Sequence, residues 1–430
     1  MANPNVIIAI DIGTSSLKSV AFRHMDDADW EIVAVVVTPS TAFTPSSSTG
    51  ELISHHEECR IALTQNLRDL ECEIDGPAAE IACTCMGVQI HTRLSIGHSD
   101  LKPGPRAVDM ADIENTIGML HGRADRAERA TPLIVTREFK IDGVSRSSPL
   151  GIATNRLDMS VVLRTVSIED LALLGRLFAD AGYRMDFYAD TAAAAGLALL
   201  SSDENEGRRL IIDIGKHATA YMLFHDGLPL DSFVVQQGGQ YMTSDLADVM
   251  GDVDVPAEAV KCRLSDYRRG GVTRFDDPAA AYIASLPKGR LAELDEVIMA
   301  RLQEIIASAG RRHAFCHGLD GVVLTGGGAR YHCTKAVADD IFDIPVSVRH
   351  CPVPAGEAPP RSEEVPPIPC GIHRLRRLSR KSSIRESLEN GRPAVFFPDD
   401  AVDLHMVMER LESDDTFWRD LGLRFAADTP

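Results

Sequence analysis

The feature that most constrains this chain is a short phrase used twice. "VIIAIDIGTSSLKSVAFRH" runs through Asp11-Ile12-Gly13, and "RLIIDIGKHATAYMLFHDG" runs through Asp213-Ile214-Gly215. In each copy an apolar, β-prone run ends in an aspartate and a glycine. Small or polar residues follow, and then a second β-prone segment. A strand-turn-strand unit repeated at this distance suggests two related halves with a site between them.

Other segments extend that reading. Strand-like runs recur at Val6–Ile10, Ile32–Val37, Leu133–Val135, Met159–Leu163, Leu210–Ile212, Tyr221–Phe224 and Gly321–Leu324. Helical periodicity lies between them at Ile168–Ala181, Thr191–Leu200, Ser244–Met250 and Leu291–Ala309. Strands alternating with helices predict an α/β protein with parallel or mixed sheets. At 430 residues the chain is too long for one ordinary core. A Pro-rich stretch, Pro352–Pro369, predicts a loop or linker, and the region beyond Leu378 reads as an appendage.

Composition excludes several function classes. A formal charge of −19 argues against tracking a nucleic-acid backbone, so no nucleic-acid partner is expected. Nine cysteines are present without zinc-type pairing; Cys83-Thr84-Cys85 has one residue between its thiols and no partner pair. No secretory signal pattern opens the chain, and no apolar run approaches the length that spans a bilayer. The expectation is a cytoplasmic protein.

Four segments offer chemistry. In the first, Gly13, Thr14, Ser15 and Ser16 make a tight turn whose N–H groups and hydroxyls can surround phosphate. Asp11 at its base is placed for Mg2+, which keeps most of its waters, and Lys18 can reach back to phosphate as a point charge. An ordinary hairpin with a polar turn is the alternative. In the second, Gly326, Gly327 and Gly328 separate a buried strand from a helix, so that a flat ligand could lie on bare backbone. A flexible connection is the plainer reading. In the third, Gly238-Gly239 precede a helix for which Thr243 or Ser244 is the candidate N-cap. In the fourth, Glu258 and Lys261 share a helical face, as a surface ion pair or as donors and acceptors for a ribose.

In this order the four segments resemble the actin, sugar kinase and heat-shock chaperone ATPase superfamily, and within it the FtsA family of bacterial actin homologues. Pro149-Leu150-Gly151-Ile152 is similar to a phrase that closes the FtsA-type 1C insertion. "GLPLDSFVVQQGGQYMTSDLADVM" with "VPAEAVK" is similar to the family's Gly-Gly, Thr-x-Asp and Ala-Glu-x-x-Lys run. The likeness covers about residues 5 to 378. It implies an actin-like two-lobed ATPase fold with an FtsA-type 1C insertion, ATP and Mg2+ held between the lobes. Residues 1–83 and 165–204 would form the first lobe and 84–164 the insertion. Residues 205–365 would form the second lobe, 366–378 a helix returning to the first, and 379–430 a basic linker with a C-terminal tail.

By the same resemblance, Asp11, Gly13, Thr14, Ser15, Ser16 and Lys18 fall in the first phosphate motif, and Asp213, Gly215 and Lys216 in the second, with Gly238 and Gly239 following. Glu258 and Lys261 fall on the ribose side and Gly326, Gly327 and Gly328 in the adenosine motif. Asp11 and Asp213 would hold Mg2+ through water. Implied partners are FtsZ or another filament protein, further copies of the chain, and the cytoplasmic membrane, with the protein peripheral on its cytoplasmic face at the division site.

The departures from the pattern carry as much weight. The family's second motif reads Asp-x-Gly-Gly-Gly-Thr-x-Asp, whereas Lys216 and His217 stand here in place of two glycines and the late aspartate is absent. Lys216 could grip a γ-phosphate, or the two side chains could exclude it. ATP binding with weak or absent ATPase activity is the expectation. The residue that orients attacking water in filament-forming members is matched only by Asp190, before "TAAAAGLALL"; a plain helix N-terminal acid is the alternative. In the tail, Phe417, Trp418, Leu421 and Phe425 share one helical face suited to a membrane interface, although Asp414, Asp415, Asp420 and Asp428 oppose anionic lipid. A non-catalytic scaffold of the PilM type is the alternative reading. A sugar-kinase type of enzyme is a further, less favoured alternative; it needs a substrate-pocket aspartate and a different insertion, neither of which the sequence marks.

Overall fold

The computed structural model describes residues 3–25, 30–40, 42–43, 55–85, 90–122, 129–201, 206–270, 277–349, 365–378, 381–390 and 394–397. It divides into two compact units, one of residues 1–194 with 355–430 and the other of residues 195–354.

In the first unit, β1 (Asn3–Ile12), β2 (Ser16–His24), β3 (Trp30–Pro39), α1 (His56–Glu73) and β4 (Ala78–Cys85) follow in order. A second group comprises β5 (His91–Asp100), β6 (Arg106–Ala107), α2 (Met110–Gly122), β7 (Arg129–Ile141), β8 (Val144–Arg146), β9 (Ala153–Thr154) and β10 (Arg156–Ser167). The chain then returns through α3 (Ile168–Asp180), β11 (Phe187–Tyr188) and α4 (Thr191–Leu199), within which the first unit gives way to the second.

The first sheet has the order β11-β4-β1-β2-β3, with β1 antiparallel to β2 and parallel to β4. Its central strand is apolar at consecutive positions because both faces are covered. Ile8, Ala9 and Ile10 are all fully buried. Leu63 and Leu67 of α1 and Leu174 and Leu177 of α3 join Ile8, Ile10 and Ile12 in one core. The second sheet, in the order β17 (Val395–Phe396), β7, β10, β5, is covered on one face by α2 through Ile113, Ile117 and Leu120.

The second unit repeats the first unit's topology. It contains β12 (Arg208–Ile214), β13 (Thr219–His225), β14 (Leu228–Val235), α5 (Gly239–Met250), α6 (Ala257–Arg268), α7 (Pro278–Ser285), α8 (Lys288–Ala307), β15 (Gly321–Thr325), α9 (Thr334–Ile341) and β16 (Val346–Val348). Its sheet order is β14-β13-β12-β15-β16. As in the first sheet, three antiparallel strands come first, followed by two parallel to the central one. Ile212 and Ile214 of β12 pack with Met242 and Leu246 of α5 and Ile298 and Leu302 of α8.

The chain closes on the first unit with α10 (Pro367–Leu378), α11 (Lys381–Glu389) and β17 (Val395–Phe396). Helix α10 lies on the first sheet, where His373 stacks on Phe22 with ring centroids 4.2 Å apart. Two sequence expectations are corrected here. The Pro-rich stretch does not run as loop to Pro369, because α10 already starts at Pro367; proline is tolerated in a helix's first turn, where the N–H it lacks has no intrahelical partner. The region beyond Leu378 is not wholly an appendage. β17 pairs with β7, and Ile384, Leu388 and Phe396 are buried in the core of the second sheet. Alternating apolar residues in so short a segment gave no signal to separate it from a linker.

Candidate functional site

The two Asp-Ile-Gly phrases form equivalent hairpins. Ile12 pairs with Leu17 and Ile214 with Thr219, so each turn has four residues, Gly13–Ser16 and Gly215–Ala218. Each is closed the same way, by Gly13 N–H donating to Ser16 O at 3.2 Å and Gly215 N–H donating to Ala218 O at 3.0 Å. Lys216, His217 and Ala218 therefore occupy the places of Thr14, Ser15 and Ser16. Asp11 faces Lys18 across the first hairpin, and Asp213 faces Ala220 across the second.

In the first unit, Lys18 Nζ donates to Asp11 Oδ2 at 2.9 Å. The other oxygen, Asp11 Oδ1, is buried without a hydrogen-bond partner. A buried, orphaned carboxylate oxygen costs free energy unless a donor or cation reaches it. The donor set, one carboxylate oxygen beside a turn of hydroxyls, fits a hydrated hard cation. The hydroxyls of Thr14, Ser15 and Ser16 have no hydrogen-bond partner among the described residues.

In the second unit, three segments converge on the end of β12. Gly326 has φ +87, and a Cβ there would collide with Asp213 Oδ1 and Ile214 O, so this turn admits glycine alone. A Cβ on Gly238 would lie 2.5 Å from Gly215 O and 2.7 Å from Lys216 O. That close approach lets Gly239 N–H donate to Gly215 O at 2.9 Å and Gln240 N–H to Lys216 O at 2.7 Å. Backbone carbonyls of the phosphate-type turn are thus tied to the N-terminus of α5. The Cα of Gly327, by contrast, has open space on its Cβ side.

Glu258 and Lys261 belong to the same assembly. Lys261 Nζ donates to Gly239 O at 3.0 Å, to Thr243 Oγ1 at 2.8 Å and to Glu258 Oε2 at 2.7 Å. Thr243 also bonds to Glu258. Burial pushes the Glu258 carboxyl up, and the hydrogen bonds from Lys261 and Thr243 outweigh it, so it titrates below the ordinary glutamate range. Neither Thr243 nor Ser244 is the N-cap expected from the sequence. Helix α5 begins at Gly239 with Gly238 as its cap, and Thr243 sits one turn inside, its hydroxyl donating to Gly239 O at 3.0 Å. Gly-Gly reads as loop by propensity, and the tertiary contact with the β12–β13 turn overrides it.

His217 is half-buried. Burial lowers its imidazole below the ordinary histidine value and the neighbouring Lys216 lowers it further. Its Nδ1 is buried without a partner. The turn therefore presents a neutral ring and a cation where the first hairpin presents hydroxyls.

The reading of Asp190 as a catalytic acid is corrected. Asp190 is 1% exposed and forms an ion pair with Arg164, both side chains fully buried. Arg164 Nε donates to Asp190 Oδ2 at 2.8 Å, and Ala193 N–H donates to Asp190 Oδ1 at 2.9 Å. Arg164 also donates to Thr92 Oγ1 at 2.7 Å. Asp190 thus caps α4 and fastens β10 and β5 of the second sheet to the first, with both oxygens engaged and the side chain fully buried. Sequence reasoning missed Arg164, whose place inside an apolar strand was the available signal. Phe417, Trp418, Leu421 and Phe425 lie outside the described residues. Among the described residues, no helix is long and apolar enough to cross a membrane.

No protein-family model matches the chain. It is 24% identical over 352 residues to the cell division protein FtsA of Borreliella burgdorferi, covering 80% of this chain and 84% of that one. It is 23% identical to FtsA of Pseudomonas aeruginosa (79% and 82% covered) and 23% identical to FtsA of Escherichia coli (80% and 83%). Among solved structures it is similar to the PilM-PilN type IV pilus biogenesis complex, with a TM-score of 0.54 and 16% identity over 86% of this chain and 98% of that one. With its twice-used sheet topology, the chain has an actin-like ATPase fold and is similar in sequence to the bacterial FtsA proteins over about four-fifths of its length.

Proposed function

We propose that this protein is a divergent FtsA-like cell-division or cytoskeletal component that binds ATP with Mg2+, self-assembles, and links FtsZ-type filaments to the cytoplasmic face of the membrane. The observation that carries the nucleotide part is the convergence of Gly238, Gly239 and Gly326 on the Asp213–Lys216 strand end, with Glu258 and Lys261 bonded into the same cradle. Gly326, Gly327 and Gly328 would bare backbone to the adenosine, and Glu258 and Lys261 would face the ribose. The turn at Gly13–Ser16 is built for phosphate in the same manner. Asp11, with its orphaned oxygen, would take hydrated Mg2+ at the first hairpin, and Asp213 has the equivalent place on the second; the ion would neutralise phosphate charge.

Hydrolysis is weak or absent in this reading. Lys216 and His217 replace the bare backbone of the second turn, and Asp190 is engaged in an ion pair. ATP then acts as a structural or switching ligand. The division role follows the relatives named FtsA, and the peripheral membrane location follows the apolar residues Phe417, Trp418, Leu421 and Phe425 in the tail's sequence. A non-catalytic scaffold of a membrane machine is the second reading, favoured by the likeness to the PilM-PilN structure.

Two measurements test the proposal. A thermal shift with ATP and Mg2+ that is absent without either tests the nucleotide site; no shift at millimolar ATP rejects it. Co-sedimentation with FtsZ polymers separates the division reading from the scaffold reading, which expects the protein to remain in the supernatant.

A further inference from the structure

Strand β5 ends the second sheet of the first unit. It pairs with β10 along one edge, and among the described residues no strand pairs with the other. It is ten residues long, His91–Asp100, and its register with β10 runs without a shift. Natural proteins blunt such edges with proline, lysine, bulges or short length, because a row of free N–H and C=O groups templates another strand. β5 has no proline, lysine or bulge and is not short; its charged side chains are Arg93 and Asp100.

Its two faces differ. Ser95 and Ser99 point toward α2, where Ser95 Oγ donates to Leu120 O at 3.5 Å and Ser99 Oγ lies 2.7 Å from Thr116 Oγ1. The opposite face carries Leu94 and Ile96, which are 49% and 67% exposed. An open strand edge flanked by two exposed apolar side chains of alternate position is the pattern that strand addition uses.

We propose that β5 pairs with β5 of a second copy, antiparallel, about a two-fold axis at Ser95. The argument is register. A two-fold axis normal to the sheet keeps each face on its own side, so opposed residues share a face. Centred on Ser95, the pairing sets Leu94 opposite Ile96 of the second copy, and Ile96 opposite its Leu94. Both exposed apolar residues are then covered by one another. Arg93 faces Gly97, which leaves room for the guanidinium, while His91 faces Ser99 and Thr92 faces His98. Centred on Leu94, the pairing leaves Ile96 against Thr92. Centred on Ile96, it sets Leu94 against His98, and centred on Arg93 it opposes two cations. The chain's own side chains select the register about Ser95.

The contact is isologous and closes at two copies, so by itself it joins chains in pairs rather than extending a filament. It involves only the first unit's second sheet and stands or falls independently of nucleotide binding. One added strand pair makes a small interface, so association shows only at high protein concentration.

The test uses the full chain without nucleotide. Sedimentation velocity over a concentration series is expected to show a monomer–dimer equilibrium. Ile96→Asp is expected to weaken it by about tenfold, because the symmetry makes one substitution act at two places. Ile96 is exposed, and an unchanged melting temperature confirms that the variant folds. A second arm reads the register. Directly opposed residues bring their Cα atoms to about 4.5–5.5 Å, inside disulfide range. Leu94→Cys and Ile96→Cys chains mixed and oxidised should give a crosslinked dimer above the background of the parent chain, and neither variant alone should do so. Self-association of Ile96→Asp equal to the parent's, no concentration dependence in the parent, or no crosslink in the mixture would each overturn the proposal. Loss of the ATP thermal shift with the crosslink intact would instead reject the nucleotide reading alone.

Discussion

Asp11 and Lys18 face each other across the first hairpin and join through a 2.9 Å ion pair, while the second oxygen of Asp11 stays buried without a partner. The pair places a carboxylate at the foot of a turn whose hydroxyls have no partner among the described residues. Substituting Lys18→Met removes a neighbour of that buried charge. The expected cost is about 1–2 kcal/mol of stability, less than for a fully buried pair because Lys18 is 36% exposed. Urea denaturation measures it. In the same variant the thermal shift proposed for ATP and Mg2+ should shrink or vanish if Lys18 also contacts phosphate, as the proposed function has it.

The second hairpin should respond in the opposite direction. Lys216 and His217 stand where the family pattern has bare backbone, and the turn's carbonyls are already anchored to Gly239 and Gln240. Replacing both residues with glycine leaves that anchoring intact and clears the space. ATP affinity is expected to rise by about tenfold, roughly 1.4 kcal/mol. Isothermal titration of the double variant checks this. A drop in affinity would mean that Lys216 supplies a phosphate contact, which is the reverse role.

His217 also gives a pH signature. Its imidazole titrates below the ordinary value of 6.5 because burial, and then Lys216, disfavour the charged ring. The unfolded chain takes up this proton near 6.5 and the folded chain does so only at lower pH. Stability from this residue is therefore full above pH 6.5 and declines as pH falls below it. His217→Gln should flatten the loss of melting temperature between pH 6.5 and 5 relative to the parent. His332, lowered by burial as well, continues to contribute in both proteins and cancels in the comparison.

Much of this arrangement is legible in the sequence, and the limits are physical. The two hairpins are local, so an apolar run, Asp-Ile-Gly and a second apolar run suffice to place Asp11, Gly13, Asp213 and Gly215. Gly326 is readable for a similar reason: a run of glycines after a buried strand marks close backbone approach. What could not be read depends on partners distant in the chain. Gly239 starts a helix because the β12–β13 turn accepts its N–H. Asp190 looks like a helix-terminal acid or a catalytic group until Arg164, from another sheet, is set against it. β17 is too short for periodicity and is defined only by β7.

Asp190 supplies the clearest distinction between a structural and a catalytic acid. Asp190→Ala removes the carboxylate to which the buried Arg164 guanidinium donates, and it deletes the cap on Ala193 N–H. Breaking a buried pair in this way costs about 3–5 kcal/mol. The expected outcome is a large fall in melting temperature, with the ATP affinity of the protein that remains folded at low temperature unchanged. An unchanged melting temperature together with a lost activity would restore the catalytic reading.

The C-terminal region should separate into two parts by truncation. Ile384, Leu388 and Phe396 are buried in the second sheet's core, and Thr136 exchanges backbone and side-chain hydrogen bonds with Ala394. A chain ending at Asn390 loses β17 and should be destabilised by several kcal/mol, about the 3–5 expected for removing a buried phenylalanine, with the lost ladder bonds added. A chain ending at Ser413 keeps β17 and should melt with the parent. It lacks Phe417, Trp418, Leu421 and Phe425, so flotation with vesicles containing anionic lipid should be lost in that truncation alone among folded forms. The acidic residues around these aromatics make the expected attachment weak, and raising the salt should weaken lipid repulsion rather than attraction at the tail. Flotation of the truncated chain equal to the parent's would place the membrane contact elsewhere, with the basic residues of α10 the next surface to vary.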